Sequence, residues 1–290
     1  MMILFFSQDG LGNQIFQYAF LTTLSRENEN EIIITIGFDR LKEVLNVKGI
    51  LNVPIPNKFA IRTCLDRFFK GLCRTKIISY IYQKEVIKNG YKIESISFGS
   101  QKGLLNNIRM VDRGFFQSEN FFDDSIKPKL KIRSKYYMEA IRILAFVPEN
   151  KHKIFIHVRR GDYLTWNVLG KKDSSLPIRY YRDGINYLSE MIYDPYYIIL
   201  SDDPKYCEEK FCDIKDKIVI KGNNVGTDLA IMTLCDSGVL ANSSLSWWGA
   251  YLMERPHKLL APKYWLGYKS KTWFPEGVMP SFAECIEVKN

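Results

Sequence analysis

Two adjacent arginines, Arg159 and Arg160, stand in the run HVRRGDY at 157–163, directly after the apolar triplet Ile154, Phe155 and Ile156. A guanidinium is planar, permanently charged and shaped to meet two phosphate oxygens at once. Two of them at the exit of a buried strand suit a phosphate or pyrophosphate. Gly161 permits a sharp turn, and Asp162 can hold an arginine or a substrate hydroxyl. A second polar group follows another apolar run, in SDDP at 201–204. Neighbouring residues of an extended chain point to opposite faces, so Asp202 and Asp203 match a D-x-D metal pair poorly. Either one can simply cap the helix that Pro204 opens. A third lies in ANSSLSWWGAYL at 241–252, where Asn242, Ser243 and Ser244 end a strand and start a helix. Free amides at a helix start, with small hydroxyls beside them, attract anions, although Ser243 also reads as an ordinary N-cap. Trp247 and Trp248 read as core, and Asp228, in the first turn of the helix upstream, would lie beside this site. The fourth is DGLGNQIFQ at 9–17. It has the G-x-G of a dinucleotide loop, but Ile15 stands where the third glycine belongs. A tight turn at Gly12 that lets backbone approach a ligand, with Asn13 and Gln14 as polar hands, fits better.

The elements that carry these groups follow from the apolar pattern. Residues 2–6 and 31–36 read as strands and 13–25 as a helix. From about 40 to 105 the pattern is weaker, with basic and aromatic patches (Arg62, Arg67, Lys70, Arg74, Lys76), and mostly helices are expected. A helix is expected over 127–146, then a polar break at 148–153. Beyond it, strands at 154–158, 196–200, 217–220, 238–241 and 258–261 alternate with helices. These helices start at Pro177 and Pro204, and run over 227–235, with Thr227 as cap, and 243–253. Such alternation marks a parallel, doubly wound α/β domain, whose ligands sit at the carboxyl ends of the strands. The break places a boundary near 147–151, giving halves 1–150 and 151–290.

The 290 residues fit two such domains. At 46% hydrophobic the chain is not disordered, and six cysteines are too sparse for a disulfide scaffold. Those cysteines form no C-x-x-C pair, and buried, reduced thiols in a cytoplasmic protein are expected. The opening MMILFF lacks a basic flank and is cut short by Gln8 and Asp9, so it reads as a first strand rather than a targeting segment. No stretch reaches the roughly 18 apolar residues of a membrane span. His152, His157 and His257 suggest no catalytic pair, and neither a G-x-S-x-G elbow nor a phosphate loop occurs. The formal charge of +9 favours anionic partners. Nucleic acid is a rival on charge alone, but the cations are dispersed and no DNA or RNA module appears.

In their order along the chain, GLGNQIFQYA, GFFQSENFF, HVRRGDY, LPIRYYRDGI, SDDP, DLAIMTLCD, ANSSLSWWGAYL and APKYW resemble glycosyltransferase family 11, the α-1,2-fucosyltransferases. The likeness covers most of the chain and leaves about 40–105 unanchored. Asp9 stands where glycine is frequent, and Ser244-Leu245 where Thr-Phe is more usual, which keeps a hydroxyl at Ser244. The resemblance implies an α/β, GT-B-like architecture of two Rossmann-like domains facing a cleft. The C-terminal one would bind GDP-fucose and the N-terminal one would shape the acceptor side. It implies inverting transfer of L-fucose from GDP-β-L-fucose to O2 of a terminal galactose, on an oligosaccharide or a lipid-linked glycan. No metal, no cofactor and no nucleic acid are expected. A cytoplasmic enzyme is expected, with peripheral contact on the inner face of the membrane. On this reading Arg159 and Arg160 bind the pyrophosphate, with Arg159 catalytic and Asp162 the candidate base. His157, Asp202, Asp228, Asn242, Ser243 and Ser244 complete the donor pocket, which Gly12, Asn13 and Gln14 close from the other domain. A transferase of the same fold using another GDP-sugar or making another linkage is the alternative.

Overall fold

The computed structural model describes residues 1–7, 9–28, 31–53 and 59–289. Gln8, used above to break the opening apolar run, lies outside them, as do residues 54–58 of the weakly patterned stretch. The chain forms two compact units, Met1–Lys131 and Ile132–Asn290.

The first unit runs β1 (Met2–Phe6), α1 (Leu11–Glu27), β2 (Ile32–Ile36), α2 (Asp39–Val44), β3 (Ile50–Val53), α3 (Phe59–Arg74), β4 (Ile78–Lys88), β5 (Tyr91–Gln101) and β6 (Leu105–Val111). Its strands lie in the order β3-β2-β1-β6-β4-β5. All pairs are parallel except the β4–β5 hairpin. The expectation of mostly helices over 40–105 is therefore corrected: α2 and α3 are there, but two long strands fill much of the rest. They are closed by Asn89 and Gly90, both at positive φ (50° and 78°), the pairing that a tight hairpin turn favours. α3 turns Leu65, Phe69, Leu72 and Cys73 onto Leu4, Phe6 and Met110 of the sheet. On α1, Ile15, Phe16, Ala19 and Phe20 are buried, and the Phe20 ring stacks on Phe116 at 3.9 Å.

The second unit runs α4 (Ser134–Leu144), β7 (His152–Val158), α5 (Ile178–Met191), β8 (Pro195–Ser201), α6 (Pro204–Lys210), β9 (Lys217–Val219), α7 (Val225–Thr233), β10 (Ser237–Val239), α8 (Ser244–Tyr251), β11 (Lys258–Pro262) and β12 (Glu284–Ile286). All its strands are parallel, in the order β12-β11-β10-β7-β8-β9. Ile154, Phe155 and Ile156 are wholly buried, which is why β7 reads as a continuous apolar run: helices cover both faces of such a sheet. The helix expected over 127–146 is shorter, because Pro128 sits in a 3-10 turn (Asp124–Lys129) and α4 starts only at Ser134. α4 packs on α7, with the Tyr136 ring against Gly226 so closely that a Cβ there would fall 2.9 Å from it. This contact places residues 132–150, read above as the end of the first half, in the second compact unit. α7 is capped by Asn224, whose Oδ1 accepts from the amides of Gly226 and Thr227 at 3.0 Å each. Thr227, the expected cap, is buried inside the helix instead.

No helix among the described residues is long and apolar enough to cross a membrane. The six cysteines are free thiols, and burial pushes Cys73 and Cys207 up to about 11.

Candidate functional site

In the second unit the chain leaves β7 for β8 and β9 on one side and later returns to place β10, β11 and β12 on the other. The loops leaving neighbouring β7 and β10 therefore diverge, and this switch point is where open α/β sheets bind ligands. HVRRGDY leaves β7 there and Asn242-Ser243-Ser244 leaves β10. The hydroxyl of Tyr163 ties the two loops by donating to the Asn242 carbonyl at 3.2 Å. Asn242 is fully buried and donates from Nδ2 to the Ser174 carbonyl at 2.8 Å.

The third loop, after β8, sets the arginines. Asp202 Oδ2 lies 2.9 Å from Arg159 Nη1, and Oδ1 accepts from the Arg160 amide at 2.9 Å. Asp203 accepts from Arg160 Nε at 3.1 Å and from the Tyr206 amide at 3.2 Å, so it also caps α6. The Tyr206 ring lies under the Arg160 guanidinium, 3.6 Å from it. Arg159 pairs in addition with Asp162 and lies 5.3 Å from the Tyr163 ring centre. Both carboxylates of SDDP are thus engaged by guanidinium groups, not turned toward a shared ligand. Gly161 makes room for this: a Cβ there would meet Asp202 Oδ2 at 2.6 Å.

His157 faces the interior, only 6% exposed, and its Nδ1 has no hydrogen-bond partner among the described residues. Burial, reinforced by the charge of Arg159, pushes it down to about 3, so it stays a neutral imidazole. The carboxyl of Asp228 is pushed up to about 6 by burial, against a hydrogen bond from Asn223. Ser243 caps α8, its hydroxyl accepting from the Leu245 amide at 3.3 Å. The Ser244 hydroxyl, half-buried, has no such partner among the described residues. Trp247 and Trp248 are core side chains without exposure. His152 and His257 pack edge to face, 5.5 Å apart, at the amino ends of their strands, the opposite edge of this sheet.

The structure thus gathers Arg159, Arg160, Asp162, Asp202, Asn242, Ser243 and Ser244 around one switch point. Tyr163, Tyr206 and Asp203 support them. The sequence offers Asp203 as a possible cap of α6, which it is. Its hold on Arg160 and the roles of Tyr163 and Tyr206 escaped sequence reading, although Tyr206 lies three residues after Asp203 and a helix turn brings such residues close. Gly12, Asn13 and Gln14 belong to the first unit. There Gln14 is buried and ties loops together: Nε2 donates to the carbonyls of Asp9 and Gly37, and Oε1 accepts from the Leu41 amide at 2.9 Å. It is no free polar hand. Asn13 accepts from Gln117 Nε2 at 2.6 Å. Of the five basic residues between 62 and 76, Lys70 meets Asp112 at 3.0 Å and Arg62 packs its guanidinium over Gly37, while Arg67, Arg74 and Lys76 are exposed.

Two α/β units with parallel sheets, one carrying paired arginines and a serine-capped helix start at its switch point, are the architecture of a GT-B glycosyltransferase. The solved structure of the fucosyltransferase NodZ from Bradyrhizobium has this fold, with a TM-score of 0.57 at 10% identity over 87% of this chain and 92% of that one. The model of Glycosyl transferase family 11 matches residues 6–272, and the chain belongs to that family. It is 30% identical to an alpha-1,2-colitosyltransferase of Escherichia coli, covering 96% of this chain and 94% of that protein. It is 25% identical to the O-antigen biosynthesis glycosyltransferase WbnK of the same species, covering 91% and 94%.

Proposed function

We propose that this glycosyltransferase moves L-fucose from GDP-β-L-fucose to O2 of a terminal galactose, with inversion and without a metal. The observation that carries the reading is the pair of guanidinium groups at the β7–β10 switch point, held from behind by Asp202 and Asp203. Negative charge grows on the leaving diphosphate as the bond from C1 of fucose to its oxygen breaks. A guanidinium fixed in advance stabilises that charge most where it is largest, in the transition state. The Ser244 hydroxyl and the first amides of α8 add donors on the other side of the crevice. The neutral imidazole of His157 adds no charge behind Arg159, whereas the carboxyl of Asp228, raised to about 6, is still mostly ionised near neutral pH. Asp162 is engaged with Arg159, and its first role is to aim the arginine. The acceptor O2 then forms the new bond to C1 from the face opposite GDP, and its proton leaves to Asp162 or to water.

The linkage is supported by the relation to an alpha-1,2-colitosyltransferase, which also makes a GDP-linked deoxy sugar other than fucose the second reading. Assaying labelled GDP-fucose and GDP-colitose side by side on a panel of galactosides, with linkage analysis of the product, tests both. Transfer of fucose to O2 is expected; transfer of colitose alone, or to another hydroxyl, would overturn the first. We further infer that the acceptor is met at an anionic membrane surface, where Arg74 and Lys76, with Lys102, would contact lipid headgroups.

A further inference from the structure

The first unit carries a small cavity beside α1, lined from that helix by Phe20 and Glu27. Seven residues are two helical turns, so both lie on one face. The segment after β6 packs against this face and adds Phe121, Phe122 and Asp123, and Phe98 comes from the edge strand β5. Phe121 and Phe122 are buried, but Phe98 stays 39% exposed. Its ring stands at 66° to that of Phe20, with centres 5.4 Å apart, and Phe121 stands at 77°, with centres 5.6 Å apart. Phe116 covers one face of Phe20. The walls are therefore aromatic rings set steeply to one another, around a cavity of about 190 Å³. Sites for drug-sized ligands start at about 300 Å³, so this one admits a single compact group.

Its charge is out of keeping with the rest of the molecule. The chain carries 41 Lys and Arg against 32 Asp and Glu, yet the lining holds two carboxylates and no cation. Asp123 is matched by Arg26, which also donates to the Ser125 hydroxyl at 2.6 Å. Glu27 is exposed and has no cation within ion-pair distance among the described residues. The face of an aromatic ring is the negative part of its quadrupole and attracts cations. Rings on the walls and an unmatched carboxylate at the mouth select a positive charge with an apolar surround. A neutral apolar guest satisfies the rings but not Glu27, and an anion is repelled by both. A quaternary ammonium group, its charge wrapped in methyls, satisfies both.

We propose that this cavity binds a small quaternary ammonium compound of the choline type, its head against Phe20, Phe98 and Phe121 and Glu27 its counter-ion. None of these residues belongs to the β7–β10 switch point, and the assignment is independent of the donor and acceptor chemistry proposed above. The compound is free rather than a lipid headgroup, because a phosphate beside the ammonium would meet Glu27 and Asp123 at the mouth. Saturation-transfer NMR titrations of the full chain test this with tetramethylammonium, choline, phosphocholine and the uncharged isostere of choline in which carbon replaces nitrogen. Both free ammonium compounds are expected to bind, choline about tenfold tighter than its carbon isostere and than phosphocholine. Glu27→Gln and Phe98→Leu should each weaken choline binding about tenfold, with GDP affinity unchanged. Glu27→Gln, at an exposed side chain, should melt like the parent. No binding of either ammonium compound by the parent, equal binding of choline and its carbon isostere, or choline binding unchanged in both variants overturns the proposal. Phosphocholine bound as tightly as choline would overturn the assignment to a free compound.

Discussion

Oδ2 of Asp202 lies 2.9 Å from Nη1 of Arg159, across neighbouring strands β7 and β8. The same carboxylate takes the amide of Arg160 through Oδ1 at 2.9 Å. One aspartate thus fixes both the side chain of one arginine and the backbone of the next. Arg159→Ala is expected to lower kcat/KM by about 10³-fold, the scale of losing one fixed charge-stabilising donor. Arg159 is about one-third exposed, so its ion pairs are solvent-screened and the stability loss should stay below about 1 kcal/mol. Asp202→Asn keeps the shape but weakens the hold, and a smaller loss, about tenfold, is expected. Steady-state kinetics with urea unfolding on the same samples separates the two effects; near-normal turnover by Arg159→Ala would sink the mechanism.

Gly161 offers a test that removes no charged group. A Cβ there would fall 2.6 Å from Asp202 Oδ2, inside van der Waals contact. Asp202 must then move, and Arg159 loses the partner that aims it. Gly161→Ala should cost about tenfold in kcat/KM, through the geometric sensitivity of a positioned group. A crystal structure of the variant should show the Asp202–Arg159 contact lengthened. Unchanged kinetics would mean that the aspartate is not what positions the arginine.

The two serines at the start of α8 have separable duties. Ser243 caps the helix through its hydroxyl, so Ser243→Ala should lower stability by about 1 kcal/mol. The Ser244 hydroxyl holds no described residue. Ser244→Ala should therefore leave stability within about 0.5 kcal/mol and raise the KM for GDP-fucose severalfold. Calorimetric GDP titration and thermal melts of both variants check this; a Ser244→Ala protein that binds GDP like the parent would remove that hydroxyl from the donor site.

Much of the second unit is legible in the sequence, because a sheet covered on both faces leaves continuous apolar runs broken by polar loops. Ile154, Phe155 and Ile156 show this, and the residues at their exit were read as a site for the same reason. The first unit is less transparent. β4 and β5 hold Lys84, Glu85, Lys88 and Lys92 among their apolar residues, so their strand pattern is blurred, and only Asn89-Gly90 marks the turn. Gln14 looks like a ligand-facing residue in GLGNQ, but its partners are backbone groups up to 27 positions away. Likewise no local spacing shows that Asp203, besides capping α6, reaches back to Arg160. Pairings of that kind depend on strand order, which a periodic pattern does not reveal.

His157 makes stability depend on pH. In the unfolded chain its imidazole takes a proton below about 6.5, whereas the folded site, apolar and next to Arg159, refuses it down to about 3. The stabilisation from keeping it neutral is complete above the unfolded value. It falls by about 1.4 kcal/mol per pH unit as pH drops between the two. Asp228 and Glu94 oppose this, because burial raises them to about 6 and about 7. Their contribution is present at low pH and is lost as pH rises through those values, so the parent protein alone shows a muted slope. The difference in unfolding free energy between parent and His157→Gln isolates the histidine. It should shrink by about 1.4 kcal/mol for each unit of acidification below about pH 6.5, and a difference independent of pH would contradict the assignment.

Membrane contact depends on what surrounds the exposed cations. The Leu104 amide donates to the Lys76 carbonyl and that of Leu105 to Ile77, both at 2.8 Å, so the β5–β6 turn lies against the segment that follows α3. Leu104 is 85% exposed, Leu105 45% and Ile77 38%, and Arg74, Lys76 and Lys102 around them are exposed too. None of these three cations has a carboxylate within ion-pair distance among the described residues. Apolar side chains ringed by unpaired cations suit an anionic bilayer, where each cation near the surface adds about 1 kcal/mol. Co-sedimentation with phosphatidylcholine vesicles holding phosphatidylglycerol should show binding that weakens with salt. It should drop by about 10-fold or more when Arg74, Lys76 and Lys102 become glutamine, and again with Leu104→Asp. Transfer to a soluble galactoside should be untouched in both variants, since none of these residues belongs to the β7–β10 switch point. Vesicle binding that survives both changes would remove this face from any role at the membrane.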